Sequence, residues 1–82
     1  MQCFIYKSLK KQDIYLYLKN QDDFHCLPEA LQNALGGMEF VFSLDLTPAR
    51  KLANADPVAV LSHLEKQGYF LQLPPPLLSA LH

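Results

Sequence analysis

The stretch Met38-Glu39-Phe40-Val41-Phe42-Ser43-Leu44-Asp45-Leu46 alternates almost without fault between apolar and polar sides. Met38, Phe40, Phe42, Leu44 and Leu46 fall on one side; Glu39, Val41, Ser43 and Asp45 fall on the other. Side chains of an extended chain alternate with period two, so residues 38–46 read as a strand with one apolar face. Such a strand needs partners in a sheet and something to cover its apolar face. The sequence on either side supplies both.

Upstream, residues 2–8 (Gln-Cys-Phe-Ile-Tyr-Lys-Ser) and 13–19 (Asp-Ile-Tyr-Leu-Tyr-Leu-Lys) are rich in aromatic and β-branched residues and flank a polar stretch at Lys10 and Lys11, which predicts a β-hairpin. In its second strand Ile14, Leu16 and Leu18 share the core face, while Tyr15, Tyr17 and Lys19 form an amphipathic one. Residues 20–26 read as a polar loop with Phe24 as its anchor. Leu27, Ala30, Leu31, Ala34 and Leu35 then recur at helical spacing and predict a helix of about three turns. Pro28 suits its first turn, Glu29 suits the positive end of its dipole, and Gly36-Gly37 ends it.

Downstream, Thr47-Pro48 predicts a short helical turn through about Leu52, followed by the connector Ala53-Asn54-Ala55. Asp56-Pro57 repeats the cap-and-proline signal and opens a second helix with Val60, Leu61 and Leu64 on one side and Ser62, His63 and Lys66 away from it. Gly68 stops that helix. Tyr69 to Leu73 form a last short strand, and Pro74, Pro75 and Pro76 end it because they donate nothing to a ladder. The order is β-β-α-β-(short α)-α-β, an α/β (α+β) arrangement whose four strands are covered by two amphipathic helices.

Composition bounds what such a chain can do. At 82 residues it is read as a single domain, 1–82, with 77–82 as a short apolar tail. Folding should bury roughly 63% of its surface, enough for one modest core. Half of the residues are hydrophobic and only 18% charged, the opposite of a disordered chain. Seven Lys and Arg against eight Asp and Glu give a net charge of −1, which argues against general nucleic-acid binding. No apolar run approaches a bilayer span and no signal-peptide pattern opens the sequence, so a cytoplasmic protein with no membrane partner is expected. Cys3 and Cys26 would then be free thiols. Together with His25 and His63 they match no zinc module, and neither a metal nor a cofactor is expected.

Several blocks resemble the YcgL domain family of small gammaproteobacterial proteins: Ile5-Tyr6-Lys7-Ser8, Tyr15-Leu16-Tyr17, Asp22-Asp23-Phe24, Pro28-Glu29, Arg50 to Asp56 and, most specifically, Gln67-Gly68-Tyr69-Phe70-Leu71-Gln72-Leu73-Pro74-Pro75-Pro76. The resemblance implies a small, mainly antiparallel four-stranded sheet between helices, an α/β/α sandwich. It implies no catalytic residue and no cofactor. Family genes often lie near that of ribonuclease D, which implies a link to RNA metabolism.

Three groups of residues are candidates for function. Arg50, Lys51, Asn54 and Asp56, with Tyr69 and the extended run Pro74, Pro75 and Pro76, could form a surface for a protein partner. Structural roles compete with this: Asp56 as a helix cap, Asn54 as a turn residue, the cations solvated, the prolines closing an edge strand. Phe4, Tyr6, Tyr15, Tyr17 and Lys19 would offer a stacking platform for RNA if strand pairing aligned them on one open face. Otherwise they pack beneath a helix. A nucleophilic site has only isolated letters behind it, Cys26 beside His25 or with His63. The sequence is therefore read as a non-catalytic interaction module with a protein partner, able to self-associate through an exposed sheet edge; an accessory RNA-binding role is the alternative, and an enzyme with an unrecognised site is the weaker one.

Overall fold

In the computed structural model, which describes residues 1–50, 52 and 56–73, the β-rich stretches pair as one antiparallel sheet. Its strands are β1 (Gln2–Ser8), β2 (Tyr15–Leu18), β3 (Met38–Asp45) and β4 (Tyr69–Gln72), in the spatial order β3-β1-β2-β4. Between them lie a 3-10 turn (Phe24–Cys26), helix α1 (Glu29–Leu35) and helix α2 (Pro57–Gln67). The order read from the sequence is thus the order found, except that Thr47 to Arg50 close a single turn, with the Arg50 amide donating to the Thr47 carbonyl at 3.0 Å.

The hairpin register decides which residues share a face. Phe4 opposes Leu18 and Tyr6 opposes Leu16, while Ile5 opposes Tyr17 and Lys7 opposes Tyr15. Opposed residues of an antiparallel pair lie on the same side of the sheet. Tyr6, Leu16 and Leu18 therefore face one way and pack with Leu27, Phe24 and Leu31 from the 3-10 turn and α1. Cys3, Ile5 and Tyr17 face the other way and pack with Leu44, Leu46, Val60 and Leu64, the last two from α2. One helix covers each face, which makes the sandwich. Both faces of β2 are consequently core, and the amphipathic face read from Tyr15, Tyr17 and Lys19 is an α2-covered one.

The strand from which the reading began departs from its own alternation. β3 pairs with β1 from Asp45↔Gln2 to Phe42↔Ile5, then resumes at Phe40↔Tyr6 and continues to Met38↔Ser8. Val41 is the extra residue of a β-bulge. Because one added residue inverts the alternation, Phe42, Leu44 and Leu46 face α2, whereas Met38 and Phe40 face α1. A flawless period-two pattern in the sequence is thus split between the two faces.

The helix ends follow their signals. The Asp56 carboxylate accepts from the Val58 amide at 3.1 Å, capping α2, with Pro57 in its first turn. Gly68 takes the left-handed conformation (φ 86°) that stops α2 and turns the chain directly into β4. α1 is shorter than its apolar stripe suggests, since Pro28 precedes it without any side-chain cap; of the stripe, Leu27 and Leu35 are buried and Ala30 and Ala34 are exposed. Its C-terminal end is held by Ser8, whose buried hydroxyl donates to the Leu35 carbonyl at 2.6 Å and accepts from the Lys11 amide at 3.0 Å.

Candidate functional site

β1 and β2 occupy the middle of the sheet, so the two edges belong to β3 and β4. Along β3 three consecutive apolar side chains, Phe40, Val41 and Phe42, are 45%, 40% and 46% exposed. The bulge explains why. It lifts Val41 out of the ladder and turns Phe40 and Phe42 towards opposite faces, both on the outermost strand of the sheet. Phe40 rests edge-on against Tyr6, with ring centroids 5.5 Å apart, and Tyr6 in turn meets Phe24 at 5.1 Å.

Beside this rim, on the α1 face, lies an open hollow of about 240 Å³ lined by Phe24, Leu27, Gln32, Leu35, Gly36 and Met38. Met38 belongs to β3, so the hollow and the exposed edge adjoin. Gln32 is held in its wall by donating its amide to the carbonyls of Leu27 (2.9 Å) and Phe24 (3.2 Å). The edge carries one acid near each end. Glu39 pairs with Lys7 at 3.5 Å with both side chains about half exposed, and Asp45 meets the terminal ammonium of Met1 at 3.4 Å with its own side chain 79% exposed.

The residues weighed for a nucleophilic site lie apart from this edge. Cys3 is fully buried against the α2 face and Cys26 is half-buried on the α1 side, and burial pushes both thiols up from their ordinary value, away from the reactive thiolate. His63 stands on α2 against Phe70, with centroids 5.3 Å apart, on the face opposite Cys26. Of the four residues weighed as metal ligands, His25 and Cys26 sit together on the 3-10 turn while Cys3 and His63 lie on the α2 side, and among the described residues no group of three or more His, Cys, Asp or Glu is placed to share an ion.

The shared tyrosine face is corrected by the register. Phe4 and Tyr6 lie on the α1 face, Tyr15 and Tyr17 on the α2 face, because Tyr6 opposes Leu16 and Tyr17 opposes Ile5. Tyr6 and Tyr17 are 2% and 5% exposed, so neither presents a ring for stacking. Their hydroxyls have structural partners. Tyr6 donates to the Asp22 carboxylate and accepts from the Asp22 amide, both at 2.8 Å, which steadies a residue held at φ 59° and the loop that delivers Phe24. Tyr17 donates to the Gln72 side-chain oxygen at 2.7 Å, tying β4 to β2. Burial raises both phenols. Lys19 is exposed just beyond β2.

Of the other candidate surface, Arg50 is exposed, Asp56 is occupied as the α2 cap, and Tyr69 is half-buried on the α1 face. Lys51, Asn54, Pro74, Pro75 and Pro76 lie outside the described residues. The strands leading to the two blocks end at opposite ends of the sheet, since Asp45 opposes Gln2 whereas Gln72 opposes Tyr15, itself opposite Lys7. The alternation puts Phe40 and Phe42 on the apolar, core-facing side and Val41 on the polar one, and does not mark the three as one exposed row. The signal was there: Val41 is the one apolar residue on the polar side of the strand.

The family model described as the YcgL domain matches residues 3–75. A YcgL domain-containing protein of Thioalkalivibrio sulfidiphilus is 45% identical over 75 residues, 92% of this chain and 93% of that one. One from Photobacterium profundum is 48% identical over 82 residues, all of this chain and 88% of its own length. Another, from Pseudomonas fluorescens, is 51% identical over 73 residues, 89% of this chain and 75% of the relative. With a model spanning most of its length and relatives of this identity along nearly all of it, the chain belongs to the YcgL domain family.

Proposed function

We propose that the protein is a non-catalytic interaction module that receives a protein partner along β3. One observation carries this reading: Phe40, Val41 and Phe42 stand exposed in a row on an edge strand that, among the described residues, has β1 on one side and no strand on the other. Proteins usually blunt such an edge with charge, brevity or a covering element, because it is a ready template for another chain. Here an eight-residue edge keeps its apolar centre in water. The adjoining hollow supports the reading, since strand-addition sites draw affinity from main-chain hydrogen bonds and selectivity from side-chain pockets. No helix among the described residues is long and apolar enough to cross a membrane. We place the module in the cytoplasm, where Cys3 and Cys26 would remain thiols.

Site-specific photo-crosslinking tests this. A benzoyl-phenylalanine at position 42, introduced into the protein in its host, should give a discrete adduct with another polypeptide. The same group at the exposed Glu65 of α2 should not. Equal adducts at both positions, or none at position 42, would remove β3 as the docking edge.

A further inference from the structure

We infer that the β3 edge takes an extended segment of a different protein, antiparallel to β3, that carries two adjacent bulky apolar residues followed by a cation, and does not take a second copy of this chain. The inference rests on β3 being the docking edge and adds the chemistry of what docks there.

The bulge works against self-pairing. Two copies joined edge to edge by a twofold axis would set β3 antiparallel to itself, and opposed residues would have to share a face. The apolar palindrome in the sequence is centred on Val41. It would set Phe40 of one copy against Phe42 of the other, and Met38 against Leu44. These partners face opposite sides of the sheet, Phe40 and Met38 towards α1, Phe42 and Leu44 towards α2, so that register cannot form. The registers one residue to either side restore the faces at a cost. One brings Met38 opposite Asp45 and Glu39 opposite Leu44; the other brings Glu39 opposite Phe42. Each buries a carboxylate against an apolar side chain.

An unrelated segment is not bound by this symmetry, and β1 displays the pattern that β3 accepts. Ile5 and Tyr6, adjacent residues on opposite faces, oppose Phe42 and Phe40, and Lys7 next in line opposes Glu39. An outer strand meeting the same edge has the same requirement: two neighbouring bulky apolar residues, then a cation. The Glu39 carboxylate is half exposed and held by one ion pair, leaving it able to accept a second donor. Asp45, largely exposed at the far end, favours another cation three residues before the apolar pair. The residue after the cation opposite Glu39 would lie opposite Met38 on the α1 face, next to the hollow, where an aliphatic side chain fits.

The capped peptide Lys-Val-Thr-Val-Phe-Lys-Leu has this pattern. Fluorescence anisotropy of the labelled peptide titrated with the whole protein at low salt should show saturable binding. Glu39→Lys should weaken it about five- to tenfold, and replacing the second lysine of the peptide with glutamate should recover most of the loss against that variant. Glu39→Gln, which adds no like charge, should give a smaller loss and serves if Glu39→Lys melts early. Absence of saturable binding overturns the inference. So does equal binding of the lysine and glutamate peptides to the wild type; if Phe40→Ser with Phe42→Ser still abolishes that binding, the docking edge stands and only the partner chemistry falls. Binding unchanged by the double serine variant removes both. Sedimentation of the unliganded protein should find a monomer, and a dimer abolished by Phe42→Ser would make a second copy the occupant and refute the inference.

Discussion

β4, at one edge of the sheet, has four residues, all half-buried, whereas β3, at the other, runs eight residues with its apolar centre in solvent. The two edges are secured differently. β4 follows α2 through the left-handed Gly68 and is packed beneath it, with Phe70 set edge-on against Tyr17 at 5.8 Å and also touching His63. Tyr17 further bonds Gln72. β3 is held through its pairing with β1, and its bulge turns side chains outward. The difference teaches that exposure here follows from pairing geometry, since each edge carries two aromatic residues in sequence. It also separates a stability edge from an interaction edge, a division that measurements can break.

The largest expected effect compares equivalent aromatics. Phe70→Ala should destabilise by about 2–4 kcal/mol, since it removes a ring packed between Tyr17 and His63 and leaves a cavity. Phe42→Ala, at a ring nearly half in water, should cost less than about 1 kcal/mol. Chemical denaturation of both variants decides it; comparable losses would erase the distinction between the edges. A smaller effect is expected at the junction into β4. Gly68→Ala should cost about 1–2 kcal/mol because a side chain disfavours φ 86°, while the added methyl meets Cys26 at an ordinary 3.4 Å. A thermal melt unchanged by that substitution would show that β4 does not depend on this turn.

The smallest and most gradual effect is with pH. Cys3, Tyr6, Tyr17 and Cys26 all have raised values in the fold, chiefly through burial. A raised acid holds its proton longer when folded than when unfolded, so the stabilisation is complete below the ordinary thiol and phenol values. It should then be lost as pH climbs through about 9 to 10 and beyond. None of the four groups lies on β3, so Phe42→Ala should leave the alkaline profile unchanged. A stability that stays flat above about pH 10 would contradict the burial of these groups.

Most of the fold was legible residue by residue. Asp56-Pro57 marked the start of α2 and Gly68 its end, because caps and left-handed turns are satisfied within a few residues of themselves. The strands could be found for the same reason, as period-two alternation is a property of the extended backbone. The candidate site was not legible. The period-two pattern assigns Phe40 and Phe42 to one core face with Val41 opposite, and leaves Tyr6 and Tyr17 free to share a face, because the side to which a strand residue points is fixed only by its partner.

The sequence by itself determined the main elements, their order, both ends of α2 and the membership of the YcgL family, all of which rest on local backbone preferences or on matching residues. Only the tertiary structure decided which helix covers which face of the sheet, that the tyrosines are shared between the faces, and that Val41 is one residue too many for β1. The physical reason is that register is a relation between distant segments. A single unpaired residue inverts every side chain beyond it, and no reading of β3 alone contains the strand against which the count is made.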